Sequence, residues 1–433
     1  MFRSSKFFLA LSLIAAYSTS FADIDFSHHS GVVQVAPGVA HTCALMADHY
    51  VSCWGSSEAA EGYIPTPIAG ISTAMKVESG NNFACALLRD STVACWGSND
   101  FAQLGDGTHN DRPIRPAPVK LGPPAFSGVS DIAVGSSFVC ALKADQTVWC
   151  WGSNGAGQLG NYTVPLSGMH IDFAQPIQVV FHDDMSGNPP LQNVVSITAG
   201  SSHACAMFAN GEVDCWGLNT YRQLGNNEST DDVVNSPIPV RVPLGAGWTE
   251  YAGYDVHGGG FHTCIRDPAG DGSYRVACWG DNESGQVGGT TGSETKTPVD
   301  VVWITGNDVI KAQNVITGGD FSCTFALVND GTDSGGIACW GANNYGQIGD
   351  MTVAKSPWPL NVFNAWGDIG GKVPDLAAGW EHACALIPDR TVWCWGSNVY
   401  AQLGTGSSDT NKNYVPVKAN VDAPLFTDTF GDD

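Results

Sequence analysis

Basic residues are scarce. Lys and Arg number 19 against 42 Asp and Glu, a formal net charge of −23, and no cluster of them is visible. That excludes a nucleic-acid-binding face, because displacing phosphate counterions takes grouped Lys and Arg. Beyond the first 22 residues no apolar run is long enough to cross a bilayer, so no membrane span is expected. Helical periodicity is missing as well. No Gly-x-Ser-x-Gly elbow, P-loop or His-Glu-x-x-His occurs, so no catalytic constellation is recognisable. No two cysteines have the Cys-x-x-Cys spacing of a zinc knuckle. Neither a metal nor a cofactor is expected.

What the chain does contain is repetition. A Cys-Trp-Gly triplet occurs seven times, each with a second cysteine upstream. The pairs are Cys43 with Cys53, Cys85 with Cys95, Cys140 with Cys150, Cys205 with Cys215, Cys264 with Cys278, Cys323 with Cys339 and Cys384 with Cys394. These use all 14 cysteines, at separations of 10, 10, 10, 10, 14, 16 and 10 residues. Between the cysteines lie turn residues such as Arg89-Asp-Ser91 and Ala209-Asn-Gly211, which read as hairpins. The two longer hairpins add even numbers of residues, which keeps opposed positions opposed. One cross-strand disulfide per repeat is expected, with pairing between neighbouring repeats as the rival connectivity.

Arg3 and Lys6 precede an apolar run from Phe7 to Tyr17, followed by Ser20-Phe-Ala22. This is the pattern of a secretory signal peptide over residues 1–22. Its removal leaves 17 basic against 42 acidic residues, a charge of −25. A secreted, extracellular or periplasmic chain is expected, in a compartment where disulfides persist. Residues 23–31 form an N-terminal segment, 32–421 the repeats and 422–433 an acidic tail.

Five residues before each first cysteine stands glycine: Gly38, Gly80, Gly135, Gly200, Gly259, Gly318 and Gly379. Two before it stands His or Phe: His41, Phe83, Phe138, His203, His262, Phe321 and His382. Six repeats carry Asn and Gln after the Trp-Gly step, as in Asn99 and Gln103, followed by an aliphatic residue and Gly. A strand opening with proline comes next. Four short strands in each of seven units give an all-β, seven-bladed propeller, whose closure hides sheet edges. The seven tryptophans are expected to fill equivalent slots between blades. Closure is expected to bring a strand at 414–417 into pairing near the strand at 32–35.

The pattern Gly-x-x-His-x-Cys-Ala-Leu…Cys-Trp-Gly-x-Asn…Gln-Leu-Gly resembles the repeat of the regulator of chromosome condensation family over about residues 32–421. The resemblance implies the seven-bladed propeller. Nuclear members of the family act as guanine-nucleotide exchange factors for the GTPase Ran and bind nucleosomes. The signal peptide, paired cysteines and acidity depart from that picture. The two-cysteine repeats are similar to the crinkly repeats of plant receptor kinases and to secreted bacterial inhibitory propellers, which bind another protein across one face. Gly379-Trp-Glu-His382 resembles the Gly-Trp-Arg-His motif of a plant UV-B photoreceptor, with Glu in place of Arg.

Length differences between repeats fall mostly after the proline-led strand, so the variable loops should gather on one face. They are rich in aromatics: Phe181 and His182; Trp248, Tyr251 and Tyr254; Trp303; Trp358, Phe363 and Trp366. Aromatics on one face are the usual anchors of an interface, and a protein or glycan partner is expected there, with the chain a monomer. Their alternative role is to plug blade ends. The repeat histidines are expected to pack locally. Acidic loops at 267–271 and 329–333 read as hairpin turns, with calcium as the alternative. An extracellular carbohydrate-active enzyme using acids such as Asp183 and Asp184 is the rival to a binding module, and a family-like exchange role is a further alternative.

Overall fold

The chain between each cysteine pair folds back at its turn, and a strand adds on either side. In the computed structural model this gives 28 strands in seven four-stranded antiparallel sheets, each sheet in simple chain order. The structure describes residues 31–122, 126–163, 171–181, 188–227, 235–244, 255–269, 273–289, 292–303, 310–327, 335–363, 373–409 and 413–421. Among these there is no helix. Blades 1 to 7 cover residues 32–67, 74–118, 129–178, 194–241, 255–300, 316–361 and 375–418. Inner strands line a central channel and outer strands form the rim.

Each first cysteine is the direct cross-strand partner of the second. The connectivity within repeats, and not the rival between neighbours, is the one observed. Cys43 is bonded to Cys53 in blade 1, Cys85 to Cys95 in blade 2, and Cys140 to Cys150 in blade 3. Cys205 is bonded to Cys215 in blade 4 and Cys264 to Cys278 in blade 5. Cys323 is bonded to Cys339 in blade 6 and Cys384 to Cys394 in blade 7. The Cα–Cα distances are 4.0–4.1 Å, and no cysteine is free. That separation belongs to the narrow, non-hydrogen-bonded pair of an antiparallel ladder, where opposed Cβ atoms come nearest. The even spacings are thus a statement of register, and full oxidation is the state of an oxidising compartment.

The next two residues of the triplet join and shape the blades. All seven tryptophans are fully buried. Each indole Nε1 donates to a backbone carbonyl of the preceding blade, as from Trp151 to Gln103 and from Trp216 to Gln158, both 2.9 Å. The following glycine has φ between +98° and +116° in every blade. A Cβ there would lie 2.3–2.7 Å from the carbonyl oxygen of the turn leading into the second strand. Only glycine serves. The outer strands carry the edge. Pro65, Pro116, Pro176, Pro239, Pro298, Pro359 and Pro416 each precede the residue paired with the second cysteine, where the register shifts. Proline fits such a bulge because it has no N–H to leave unpaired, and it discourages further strand addition.

Closure differs from the sequence expectation. Asn413–Lys418 pairs with Val392–Gly396, and Val32–Pro37 pairs with His41–Met46, so the strands at 414–417 and 32–35 do not pair with each other. Seven contiguous blades leave no orphan strand to exchange. The ring closes through side chains, with Trp54 Nε1 donating to the Gln402 carbonyl at 2.9 Å and the Val35 N–H donating to Asp375 at 2.7 Å.

Candidate functional site

Strand alternation sorts every connection onto one of two faces. Turns between first and second strands, and loops between third and fourth, lie on what we call the glycine face. Turns between second and third strands, and the linkers between blades, lie on the linker face. The longer hairpins of blades 5 and 6 therefore point to the same side as the variable linkers. The expected gathering of length variation on one face is met only in part: the linkers run from 6 to 15 residues on the linker face, but the loops between third and fourth strands run from 2 to 18 on the glycine face.

Of the residues expected to bind, Phe181, Trp303, Trp358 and Phe363 are described, and these four stand at separate places in the ring. Phe181 and Phe363 lie on the linker face at the junctions of blades 3–4 and 6–7, with 45% and 42% of their surface exposed. Trp303, at the junction of blades 5 and 6, is half-buried and packs on the cluster around Val301 and Ile310. Trp358 lies inside the strand Ser356–Asn361 and not in the loop after it. Its N–H and carbonyl bond to the Ser356 hydroxyl, which fixes it in the proline-flanked edge. His182, Trp248, Tyr251, Tyr254 and Trp366, like Asp183 and Asp184, lie outside the described residues.

At the junction of blades 3 and 4 the linker face opens into a cleft of about 630 Å³. Its base is pinned where the Phe181 N–H donates to the Pro189 carbonyl at 2.8 Å. Phe181 and Pro190 form one wall. Phe208 and Arg241 form the other, with the guanidinium 5.8 Å from the ring centroid. Arg241 donates to Glu212 and Asp214. Burial pushes the Asp214 carboxyl up, with Arg241 opposing the shift. Hydrogen bonds from Asn210 and Arg241 hold Glu212 below its usual range. The cleft thus combines apolar walls with a fixed charge network. Composition gave no signal for Phe208 and Arg241, which sit at strand ends 33 residues apart.

The channel holds a second polar group, in a cavity of about 470 Å³. Lys76 bridges Glu78 at 3.1 Å and Asp131 at 2.7 Å. Burial works against the Lys76 charge, yet these carboxylates outweigh it and hold the ammonium above its usual range. Burial pushes Asp375 up to about 7. At the glycine face the channel narrows to the ring of Gly38, Gly80, Gly135, Gly200, Gly259, Gly318 and Gly379. A Cβ on any of these would lie 2.3–2.8 Å from the carbonyl oxygen of the next. The repeat histidines are buried in separate blades. His203 bonds Thr263 at 2.9 Å, His262 bonds Ser322 at 2.8 Å and His382 bonds Thr42 at 2.8 Å. Among the described residues no three His, Cys, Asp or Glu are grouped to hold a metal ion.

Sequence models of the Regulator of chromosome condensation (RCC1) repeat match residues 76–103, 129–158, 194–223 and 375–402, and also 90–142 and 145–207. The E3 ubiquitin-protein ligase HERC2 of Mus musculus is 32% identical over 263 residues, 60% of this chain and 5% of that protein. The chain therefore spans a small part of the first curated relatives it matches. The Ultraviolet-B receptor UVR8 of Arabidopsis thaliana is 27% identical over 399 residues, 89% of this chain and 81% of the receptor. A crystal structure of Kap60 bound to yeast RCC1 (Prp20) superposes with a TM-score of 0.66 at 19% identity, covering 92% of this chain and 87% of that one. At that identity the likeness is one of fold.

Proposed function

Starting from a seven-bladed propeller of regulator of chromosome condensation repeats, we propose that this chain is an exported binding protein that engages a protein partner through its linker face. Export rests on the leader pattern of residues 1–22 together with seven internal disulfides and no free cysteine. Partner binding rests above all on the cleft between blades 3 and 4. There an exposed Phe181 faces Phe208 and an Arg241 already fixed by two carboxylates. Pre-ordered aromatic and Arg side chains make effective anchors because little conformational entropy is lost on binding. The similar yeast protein is solved bound to Kap60, and the binding of another protein is all that we carry over. No step of chemistry is assigned.

The test is quantitative capture of partners from the native secretome by oxidised wild type, by Phe181→Ala/Arg241→Ala and by Trp248→Ala/Trp366→Ala. We expect a protein bound saturably by wild type, and at least about tenfold more weakly by the first variant. Equal capture by all three proteins would remove the linker face from the reading. Glycan-array binding without any protein captured would replace the partner class. Turnover of a glycan would replace the binding role itself.

A further inference from the structure

The opposite face carries an aromatic row that no single repeat predicts. Trp380, in the first turn of blade 7, lies across Gly319 of blade 6, where a Cβ would stand 3.0 Å from the indole Cδ2. It thereby reaches Phe261 of blade 5, edge-on, with ring centroids 6.3 Å apart and planes at 87°. Phe261 packs in turn on Tyr221 of blade 4, at 4.9 Å and 42°. All three rings are partly exposed. The row spans four blades beside the constricted end of the channel, and Trp380 lines that end.

Three carboxylates accompany it, from blades 5, 6 and 7. Burial pushes the Asp320 carboxyl up, and Asp281 and Glu283 add to the shift. Burial and then Asp320 do the same to Glu381, which Tyr345 opposes with a hydrogen bond. Burial raises Asp281 too, although Gln286 donates to it at 2.9 Å. Among the described residues no hydrogen bond or ion pair reaches the Asp320 carboxylate. Cations close by are engaged elsewhere: Lys355 Nζ donates to the Glu283 carbonyl at 2.7 Å and Arg222 pairs with Glu294 at 3.3 Å. Half-buried acids that repel one another have much to gain from an incoming cation.

We propose that the glycine face of blades 4–7 docks a Lys/Arg-rich segment of a partner protein, its cations set between Asp320 and Glu381 and against the Trp380 and Phe261 rings. Charge complementarity selects this occupant. A second copy in two-fold symmetry would place acid on acid, and nucleic acid carries the wrong sign. A cation over an indole adds attraction of its own. The chain's charge of −23 steers a basic partner toward it at low salt.

The experiment follows fluorescence anisotropy of a short labelled peptide of alternating Arg and Ser, against an Asp/Ser peptide of equal length, on the oxidised full chain. Binding of the basic peptide is expected at ~20 mM salt and should weaken strongly at ~500 mM, where the Debye length is several times shorter. Asp320→Asn/Glu381→Gln keeps side-chain shape, relieves repulsion and is expected to unfold at the same temperature or higher while binding about tenfold more weakly. Trp380→Ala should also weaken binding, and Glu212→Gln on the linker face should not. Unchanged affinity in the double variant, or equal affinity for the acidic peptide, would overturn the proposal. So would a dimer that Trp380→Ala dissociates without any peptide binding. Loss of Phe181-dependent capture bears only on the other face, so the two readings fail separately.

Discussion

At the residue scale the repeat couples a position in one blade to the next residue position of the following blade. His382 bonds Thr42, His203 bonds Thr263 and His262 bonds Ser322. Phe83, Phe138 and Phe321 stand where the corresponding residues are Val139, Ala204 and Ala383. A hydroxyl calls for imidazole and an apolar residue calls for phenyl, because a buried ring nitrogen without a partner is costly. His41 breaks the rule. Its counterpart is Ala84, and neither of its ring nitrogens has a hydrogen-bond partner. His41→Phe should therefore stabilise the fold by ~1–2 kcal/mol at neutral pH, read from the denaturant midpoint. Burial pushes His41 down to about 4, and His203, His262 and His382 down to about 3, from 6.5. Each depressed base means that the unfolded chain takes its proton first. The stability contributed is full above 6.5 and is lost as pH falls from there toward 4 and 3. The acid limb of wild type should be steep across that window and shallower in His41→Phe. Equal stability and an equal slope in the two proteins would refute the pairing rule.

At the scale of elements the unit is the stapled hairpin. A bridge closing 10 residues restricts the unfolded chain by ~3 kcal/mol in the chain-entropy account. Cys205→Ala/Cys215→Ala should lose about that much stability, with faster amide exchange concentrated in His203–Phe208 and Val213–Gly217. Exchange that rises uniformly around the ring would show the staple acting globally. These hairpins were legible in the sequence because direct opposition fixes even spacing, and because the same triplet sets disulfide, slot-filling indole and positive-φ glycine seven times over. Strand partners at closure were not legible, since they depend on how many strands each blade retains. Trp358 reads as a loop residue until its flanking prolines are seen to lie in an edge strand. The linker aromatics were visible as composition, whereas Phe208 with Arg241, and Tyr221 with Phe261 and Trp380, were not. Ring geometry alone brings those residues together. The motif Gly379-Trp-Glu-His382 gave the one sequence signal for that row.

At the scale of the whole molecule, the junction between blades 7 and 1 is an ordinary one. Trp54 donates to the Gln402 carbonyl as Trp216 does to that of Gln158, both at 2.9 Å, and His382 with Thr42 repeats His203 with Thr263. Each interface joins only neighbours, so stability is approximately a sum over blades and junctions. No strand is exchanged at closure, and the place where the covalent chain is open should therefore matter little. Residues 68–73 make the step from blade 1 to blade 2 on the linker face. A Gly/Ser linker of similar length from Val421 to Gly31, with new termini inside 182–187, would leave all seven blades whole. That permutant should form seven disulfides, as free-thiol titration after denaturation will report, and unfold within ~5 °C of wild type, a change of ~1–2 kcal/mol. Opening the ring inside 228–234 instead detaches the outer strand Ser236–Arg241 from its own blade. Blade 4 must then recruit that strand from the far end of the chain, so this second permutant should be the less stable of the two. The reverse order, or failure of the first permutant to fold, would mean that the junction of blades 7 and 1 contributes something the other six do not.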